Sequence, residues 1–452
     1  MRSKSQSGAS PSPVPCVCNP LFVTTLALAA LTIAGCPKPQ PVAKSDADTP
    51  PATTKVVEAT PADDPEALTA LEEAGFVLTK SGDAVVKLTI NTDEPIGEAL
   101  KHLSGAPSVS EILMSGGGVT DEGMENLGEL KRLERLDLTA SAITDAALGP
   151  IGKLPNLIVL RLRRTGVTDP GLAKLVNLTK LRALDLRNSN IGDEGMEHVA
   201  KIKSLADVQL EKSKVKDSGV LKLSALPLKS LNLNFCTAIS NDIMPMVGKM
   251  ATMEQLQVAF SKIDDEGMAS LAGLKNLKRV GIVGCDVTGL GIQAIKGCDK
   301  LQRLDLRETS VGDDACELIS QMGSLQVIDL RECRLASAEG LSKLGKLTGL
   351  TILILCETKA NDETMESLGG LVNLTELNLE ATSITDESAP VLLKMTKLEN
   401  LNLTGTRLTD ETFSQLTGLK ALKTLNVANT DIGFEASDAL LMANEDLDLI
   451  EY

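Results

Sequence analysis

The 452 residues include no Trp, one Tyr (Tyr452) and six Phe. A single core in so long a chain would lean on aromatics, and beyond roughly 250–300 residues cores stop growing and chains divide. Thin, regular layers of Leu, Ile and Val need no such filler, so a repeat array is expected. Basic residues are short as well: 45 Lys and Arg stand against 61 Asp and Glu, a formal charge of −16. That excludes a general nucleic-acid binder, which needs a basic footprint, and suits a monomer that resists self-association. Histidine occurs twice, as His102 near the start of the patterned region and His198 at a helical position. A base beside a nucleophile on one surface is therefore not offered. The nine Cys include no C-x-x-C, so neither zinc nor a redox pair is supported. Gly116-Gly117-Gly118 lacks the Lys and Ser/Thr of a phosphate loop. No catalytic residue, metal, cofactor or small-molecule substrate is assigned, and the chain reads as non-enzymatic.

What is present begins with an address. Leu21 to Gly35, LFVTTLALAALTIAG, is uncharged. It is short for a membrane span of about 20 residues, but right for the apolar part of an export signal. Arg2 and Lys4 give the positive start, and the run ends in Ile33-Ala34-Gly35-Cys36. This resembles the lipobox of bacterial lipoproteins. The resemblance implies that residues 1–35 are removed as a signal peptide, which would take Cys16 and Cys18 with it. It also implies that Cys36 is diacylated with palmitate-type chains as the new N-terminus. The protein is then expected in the bacterial cell envelope, lipid-anchored to a membrane and facing the periplasm or exterior. Two acyl chains give stable anchoring where one does not. Removal of Arg2 and Lys4 would take the charge to −18. Residues 36–63, rich in Pro, Thr and Ala, predict a linker with a reach of roughly 90 Å at about 3.1 Å per residue.

From Val109 to Ile432 one phrase returns every 24 residues, with slips of one: LERLDLTASAITD at Leu133, LIVLRLRRTGVTD at Leu157, LENLNLTGTRLTD at Leu398. Counting each unit from its first apolar residue, columns 1, 4, 6, 11, 16, 19 and 22 are apolar. In unit three these are Leu157, Leu160, Leu162, Val167, Leu172, Leu175 and Leu178. Columns 4 and 6 have strand period and columns 16, 19 and 22 helical period, so each unit predicts a strand, a turn and a helix. One such unit cannot bury its own apolar face, whereas stacked neighbours bury a continuous core. The pattern L-x-x-L-x-L resembles the leucine-rich repeat. Phrases such as Val167-Thr168-Asp169-Pro170-Gly171-Leu172 are similar to its ribonuclease-inhibitor-like and cysteine-containing subclasses. The resemblance implies an α/β solenoid, a horseshoe of 13–14 repeats with a concave parallel sheet and convex helices.

Two columns carry polar residues with structural expectations. Column 9 is Ser or Thr in most units (Ser141, Thr165, Ser189, Thr309 among them), where a small hydroxyl would turn inward to the backbone leaving the strand. Column 13 is Asp in ten units, from Asp121 to Asp410. Calcium would need a denser oxygen set; the preferred reading is that each Asp caps or opens its helix. Asp64–Gly75 reads as a helix and the stretch around Ser81-Gly82-Asp83 as a hairpin, together an N-terminal cap over residues 64–108. Residues 433–452 leave the register, turn acidic and read as a C-terminal cap. Cys236, Cys285, Cys298, Cys316 and Cys333 fall in interior columns. Cys356, in column 7, is expected to face outward.

Columns 3, 5, 7 and 8 point out from the strand face, free of the folding pattern, and there a partner would land. Column 8 is Phe235 in unit six and Phe260 in unit seven, beside Ala259 and Val283 in column 7. The two Phe are either a contact anchor or rim covers for the backbone, and the sequence leaves both open. Arg163, Arg164 and Arg187 form a basic spot without obvious partners, while Asp137, Arg161 and Asp185 share column 5 and predict a cross-strand ladder. Arg307 and Arg331 stand beside Asp305, Asp329, Glu308 and Glu332. Mutual pairing or anion recognition would suit them. Asn378, Asn402 and Asn426 read as a hydrogen-bonding ladder. The function expected is a scaffold that binds a protein through its concave face; envelope-glycan binding and a structural spacer are the alternatives.

Overall fold

The computed structural model describes residues 61–451. The expected signal segment, Cys16, Cys18, the lipidation site Cys36, the linker up to residue 60 and Tyr452 lie outside the described residues. The fold starts with the helix Pro65–Glu73, at whose head Asp64 accepts the Glu66 N–H. An antiparallel hairpin follows, Val77–Ser81 with Ala84–Asn91, turning at Gly82 with φ +62°. From Ala84–Asn91 onward each strand pairs in parallel with the next in sequence, to Asp448–Ile450. The result is one sheet of 17 strands.

Most strands are three residues long and occupy columns 3 to 5, as Val159–Arg161 does. Each is followed by a short α or 3-10 helix on the other side, such as Asp193–Val199. This is the open α/β solenoid, with the parallel sheet on the concave side and helices on the convex side. The apolar columns fill the space between as one continuous core of Leu, Ile, Val and Met. Phe76 and Phe413 are the only aromatics in it among the described residues.

The register runs one unit further at each end than Val109–Ile432. Lys87 pairs with Glu111 and Thr424 with Asp448, each a spacing of 24. Val85, Leu88, Ile90, Leu100, Leu103 and Ala106 occupy the apolar columns of the added first unit, and all are buried. A long strand that doubles as a hairpin arm disguises that unit. At the other end the helix Phe434–Ala443 leads to the strand Asp448–Ile450, which pairs in the same register, and Phe434 is 84% and Met442 75% exposed.

What joins units is the column-13 carboxylate, which does not act where the sequence pattern suggests. All ten Asp accept a backbone N–H from the following unit, at 2.6–3.0 Å, rather than capping their own helix. Usually a Ser or Thr hydroxyl of that unit donates as well, as Thr288 does to Asp265 at 2.6 Å. Thr288 in turn accepts the Leu290 N–H at the head of the helix Gly289–Ile295. One hydroxyl thus links the carboxylate below to the helix above. Column 15 is Gly in several units because the same carboxylate crowds it: a Cβ on Gly171 would lie 2.1 Å from Asp145 Oδ1. Later units place hydroxyls there instead, and Ser388 and Thr412 donate to Asp362 and Asp386 at 2.5 Å. The column-9 hydroxyls turn inward as expected, Thr309 donating to Leu306 O at 2.6 Å and Ser189 to Leu186 O at 2.5 Å.

Asp265 holds three donors, the N–H and hydroxyl of Thr288 and the Gly291 N–H. Asp265→Ala should therefore cost about 2–3 kcal/mol, the range for hydrogen bonds to a charged group whose donors are then left unpaired. Urea denaturation measures it, and a loss near zero would contradict the joint described here. The second prediction concerns pH. The N–H and hydroxyl of Ser337 hold the Asp313 carboxyl below the ordinary carboxylate range. A pKa lowered by folding contributes stability that is complete above the unfolded value of about 3.9 and disappears as pH falls through the lowered one. Asp313→Asn should thus lower the Tm at pH 7, and the gap to the unsubstituted protein should close on acidification. A gap of constant size down to pH 3 would refute the assignment.

Candidate functional site

The inner face of the sheet divides by column. Column 5 is part of the fold rather than free of it. Oδ1 of Asp137, Asp185, Asn378, Asn402 and Asn426 accepts the N–H two residues on, at 2.9–3.1 Å, turning the chain as it leaves the strand. The expected Asn ladder is therefore chiefly a series of such turns, with one cross-unit bond from Asn402 Nδ2 to Glu380 at 3.1 Å.

Column 8 is constrained in another way. In all fourteen units from Val109 to Ile432 it has positive φ: Gly116, Gly284 and Gly405, and eleven residues that are not glycine, with φ of 53–59°. Left-handed backbone disfavours any Cβ, and for a bulky residue it is an outlier. Phe235 and Phe260 nevertheless stand there, at φ 59° and 54°. Their rings stack with centroids 4.7 Å apart and planes 19° apart. Phe235 is 39% exposed, and the Lys212 ammonium lies 4.8 Å from its ring centroid. Phe260, half-buried, lies over the next unit, where a Cβ on Gly284 would come within 2.5 Å of its ring. Phe260 thus covers backbone, as a rim residue would, while Phe235 stays partly exposed. Val283 is half-buried beside them, whereas Ala259 is buried and offers no contact. Lys212 and Gly284 went unnoticed in the sequence; reading column 8 down the units would have found both.

The charged groups sort into paired and unpaired. Arg161 meets Asp137 at 3.1 Å as the ladder predicts, but Asp185 is not its second partner. Instead Arg187, two residues along the same strand, grips Asp185 with Nε and Nη2 at 2.6–3.0 Å. That hydrogen bonding raises the Arg187 pKa. The i to i+2 spacing on one strand face supplied this partner, and looking only across strands missed it. Arg307 pairs with Glu308 at 2.6 Å and Glu332 at 3.4 Å, and Arg331 with Asp329 at 3.6 Å. Arg334 adds bonds to Glu332 and Glu357 at 3.5 and 2.7 Å. Burial pushes the Asp329 carboxyl above its ordinary range despite Arg331. Arg163 and Arg164 carry no ion pair among the described residues, and Arg163 Nε is buried without an acceptor.

Cys356 corrects an expectation. Column 7 does point to the inner face, yet the thiol is 3% exposed. Glu380, Arg331 and Glu357 surround its short side chain, and burial pushes its pKa up. The other five thiols of the described residues are buried and free, with Cys316 raised to about 12 by burial and Cys333 to about 11. These remain protonated, unreactive fillers. His102 and His198 sit in helical segments, away from the sheet. Among the described residues no group of three or more His, Cys, Asp and Glu could hold a metal ion, and no helix is long and apolar enough to cross a membrane.

Comparison with known proteins bears on the fold. The leucine-rich repeat family model matches residues 177–200 and 249–272, two segments that begin three periods apart. A search of curated proteins finds no match. A leucine-rich repeat protein of Leptospira interrogans is similar at 18% identity and a TM-score of 0.51, over 77% of this chain and 91% of that one. An internalin of Listeria monocytogenes is similar at 20% identity and a TM-score of 0.48, over 80% of this chain and 94% of the internalin. With the strand register, the inward hydroxyls, the two matched segments and the likeness to the Leptospira protein together, the chain folds as a solenoid of leucine-rich repeats.

Proposed function

We propose that the protein is a membrane-tethered bacterial lipoprotein, without catalytic activity, whose repeat array binds a protein partner on its concave side. Stacked repeats create extended concave surfaces of the kind used for binding. The observation that carries the reading is the Phe235–Phe260 pair, stacked at 4.7 Å on left-handed backbone. In a chain with six Phe and no Trp, these two adjacent aromatics lie outside the continuous core. Exposed aromatics of this kind anchor protein interfaces. Anchoring through Cys36, exposure to the periplasm or exterior, and membership of the ribonuclease-inhibitor-like or cysteine-containing subclass rest on the sequence motifs.

Two measurements test the reading. Phe235→Ser with Phe260→Ser should reduce capture of partners cross-linked in intact cells by about tenfold or more, the scale of hot-spot loss, while circular dichroism melting shows that the variant still folds. Undiminished capture by the double variant would remove the anchor. Separately, Cys36→Ala should move the protein from the detergent phase to the aqueous phase in a phase-partition assay; retention in the detergent phase would end the lipoprotein assignment.

A further inference from the structure

We infer that the rim between units three and eight receives an extended acidic–apolar segment of the partner protein, with a carboxylate on Arg163 and Arg164 and an apolar side chain on the Phe235–Phe260 stack. This rests on the protein-binding reading above and adds the partner's chemistry. Column 8, followed along the array, reads Arg164, Asn188, Lys212, Phe235, Phe260, Gly284, Glu308, Glu332, Glu357. Cations, aromatics and acids are thus segregated in order along one edge of the sheet.

The two charged ends are not equivalent. At the acidic end Arg307 and Arg334 already pair with Glu308, Glu332 and Glu357. At the cationic end Lys212 is occupied by the Phe235 ring, and Arg187 is clamped by Asp185. Arg163 and Arg164 have no ion pair among the described residues, and the buried Nε of Arg163, like that of Arg307, has no acceptor. A guanidinium is a rigid fork of donors matched to carboxylate geometry, so the unmet demand of this edge is for an acid at unit three. Beside it, the unmet apolar surface lies at units six to eight. On a chain of net charge −16, an acidic segment is repelled elsewhere and attracted here, which adds specificity to affinity.

Spacing follows from the sheet. Three strand steps separate units three and six, about 14 Å at ~4.8 Å per step. An extended peptide rising ~3.3 Å per residue covers that in about four residues. The partner segment therefore carries its acid and its apolar anchor about four positions apart.

Panning a random-peptide phage library against the full chain tests this, with Arg163→Ser/Arg164→Ser and Phe235→Ser/Phe260→Ser proteins in parallel. The expected consensus pairs Asp or Glu with an aromatic or aliphatic residue about four positions away. On the arginine variant the acidic position alone should lose enrichment, and on the phenylalanine variant the apolar position alone. A synthetic consensus peptide should bind the arginine variant about tenfold more weakly, the equivalent of one charge-assisted hydrogen bond. Circular dichroism melting confirms that both variants fold. No consensus, a consensus without acids, or acidic enrichment that survives loss of both arginines would overturn the inference. So would capture of alginate, a carboxylate polysaccharide, through the same arginines with peptides ignored. If cross-linking in cells still depends on Phe235 and Phe260 while the acidic consensus is missing, protein binding stands and only this inference falls.

Discussion

The array depends on a carboxylate that belongs to one repeat and is satisfied by the next. Helices of four to seven residues, such as Asp169–Leu172 and Asp193–Val199, are far too short to persist alone in water. Each needs its first N–H groups held, and its own residues leave part of that task to the unit before. The column-13 Asp acts from outside, taking an N–H and usually a hydroxyl from the residue that leads into its successor's helix, and at Asp265 a helical N–H, that of Gly291, as well. Because the donors lie in a different unit, the bond orders units relative to each other as well as each helix start. It also dictates what sits opposite. Gly at column 15 leaves room for the carboxylate, and where Ser or Thr replaces it the hydroxyl becomes another donor. A recurring Asp-x-Gly phrase is thus two halves of neighbouring joints.

A second constraint acts at the strand exits. Column 5 Asp and Asn turn the chain by accepting an N–H two residues on, column 8 then adopts left-handed backbone, and column 9 sends a hydroxyl or thiol inward. Of the positions facing the inner side, only columns 3 and 7 are left without a backbone task. Even in column 7, small residues vanish beneath longer neighbours, as Cys356 and Ala259 do. Binding surface on such a solenoid is therefore set by side-chain length as much as by direction.

The repeat, its strand face and its core columns were legible in the sequence because period 24 superposes two periodicities that only one stacking satisfies. The stacking of Phe235 on Phe260 follows from the same register, since adjacent units bring equal columns side by side. Less legible was anything decided between a column and a different column of the next unit. The Asp carboxylates looked like local caps because Asp before a helix usually is one. Arg187 looked unpartnered because its acid, Asp185, lies along the strand and not across it. The first and last units were hidden by a long hairpin arm and by acidic residues around Leu449, which the strand pairing reveals. Residue type carries no mark of which neighbour will reach it first.

Residue choice at column 8 separates folding from function. Left-handed backbone costs a residue with a Cβ about 1–2 kcal/mol, and Gly284 and Gly405 demonstrate that glycine fits. Phe235, 39% exposed, offsets part of that strain through its buried surface and the Lys212 ammonium over its ring, and its stacking on Phe260 adds about 0.5–1.5 kcal/mol. Arg164 is exposed on the same backbone and has no ion pair among the described residues. Glu308, on the same backbone, has at least the Arg307 guanidinium at 2.6 Å. Ala140 and Ala381 share this left-handed backbone, so the repeat sets the conformation at column 8 and leaves the side chains from Arg164 to Phe260 free to vary.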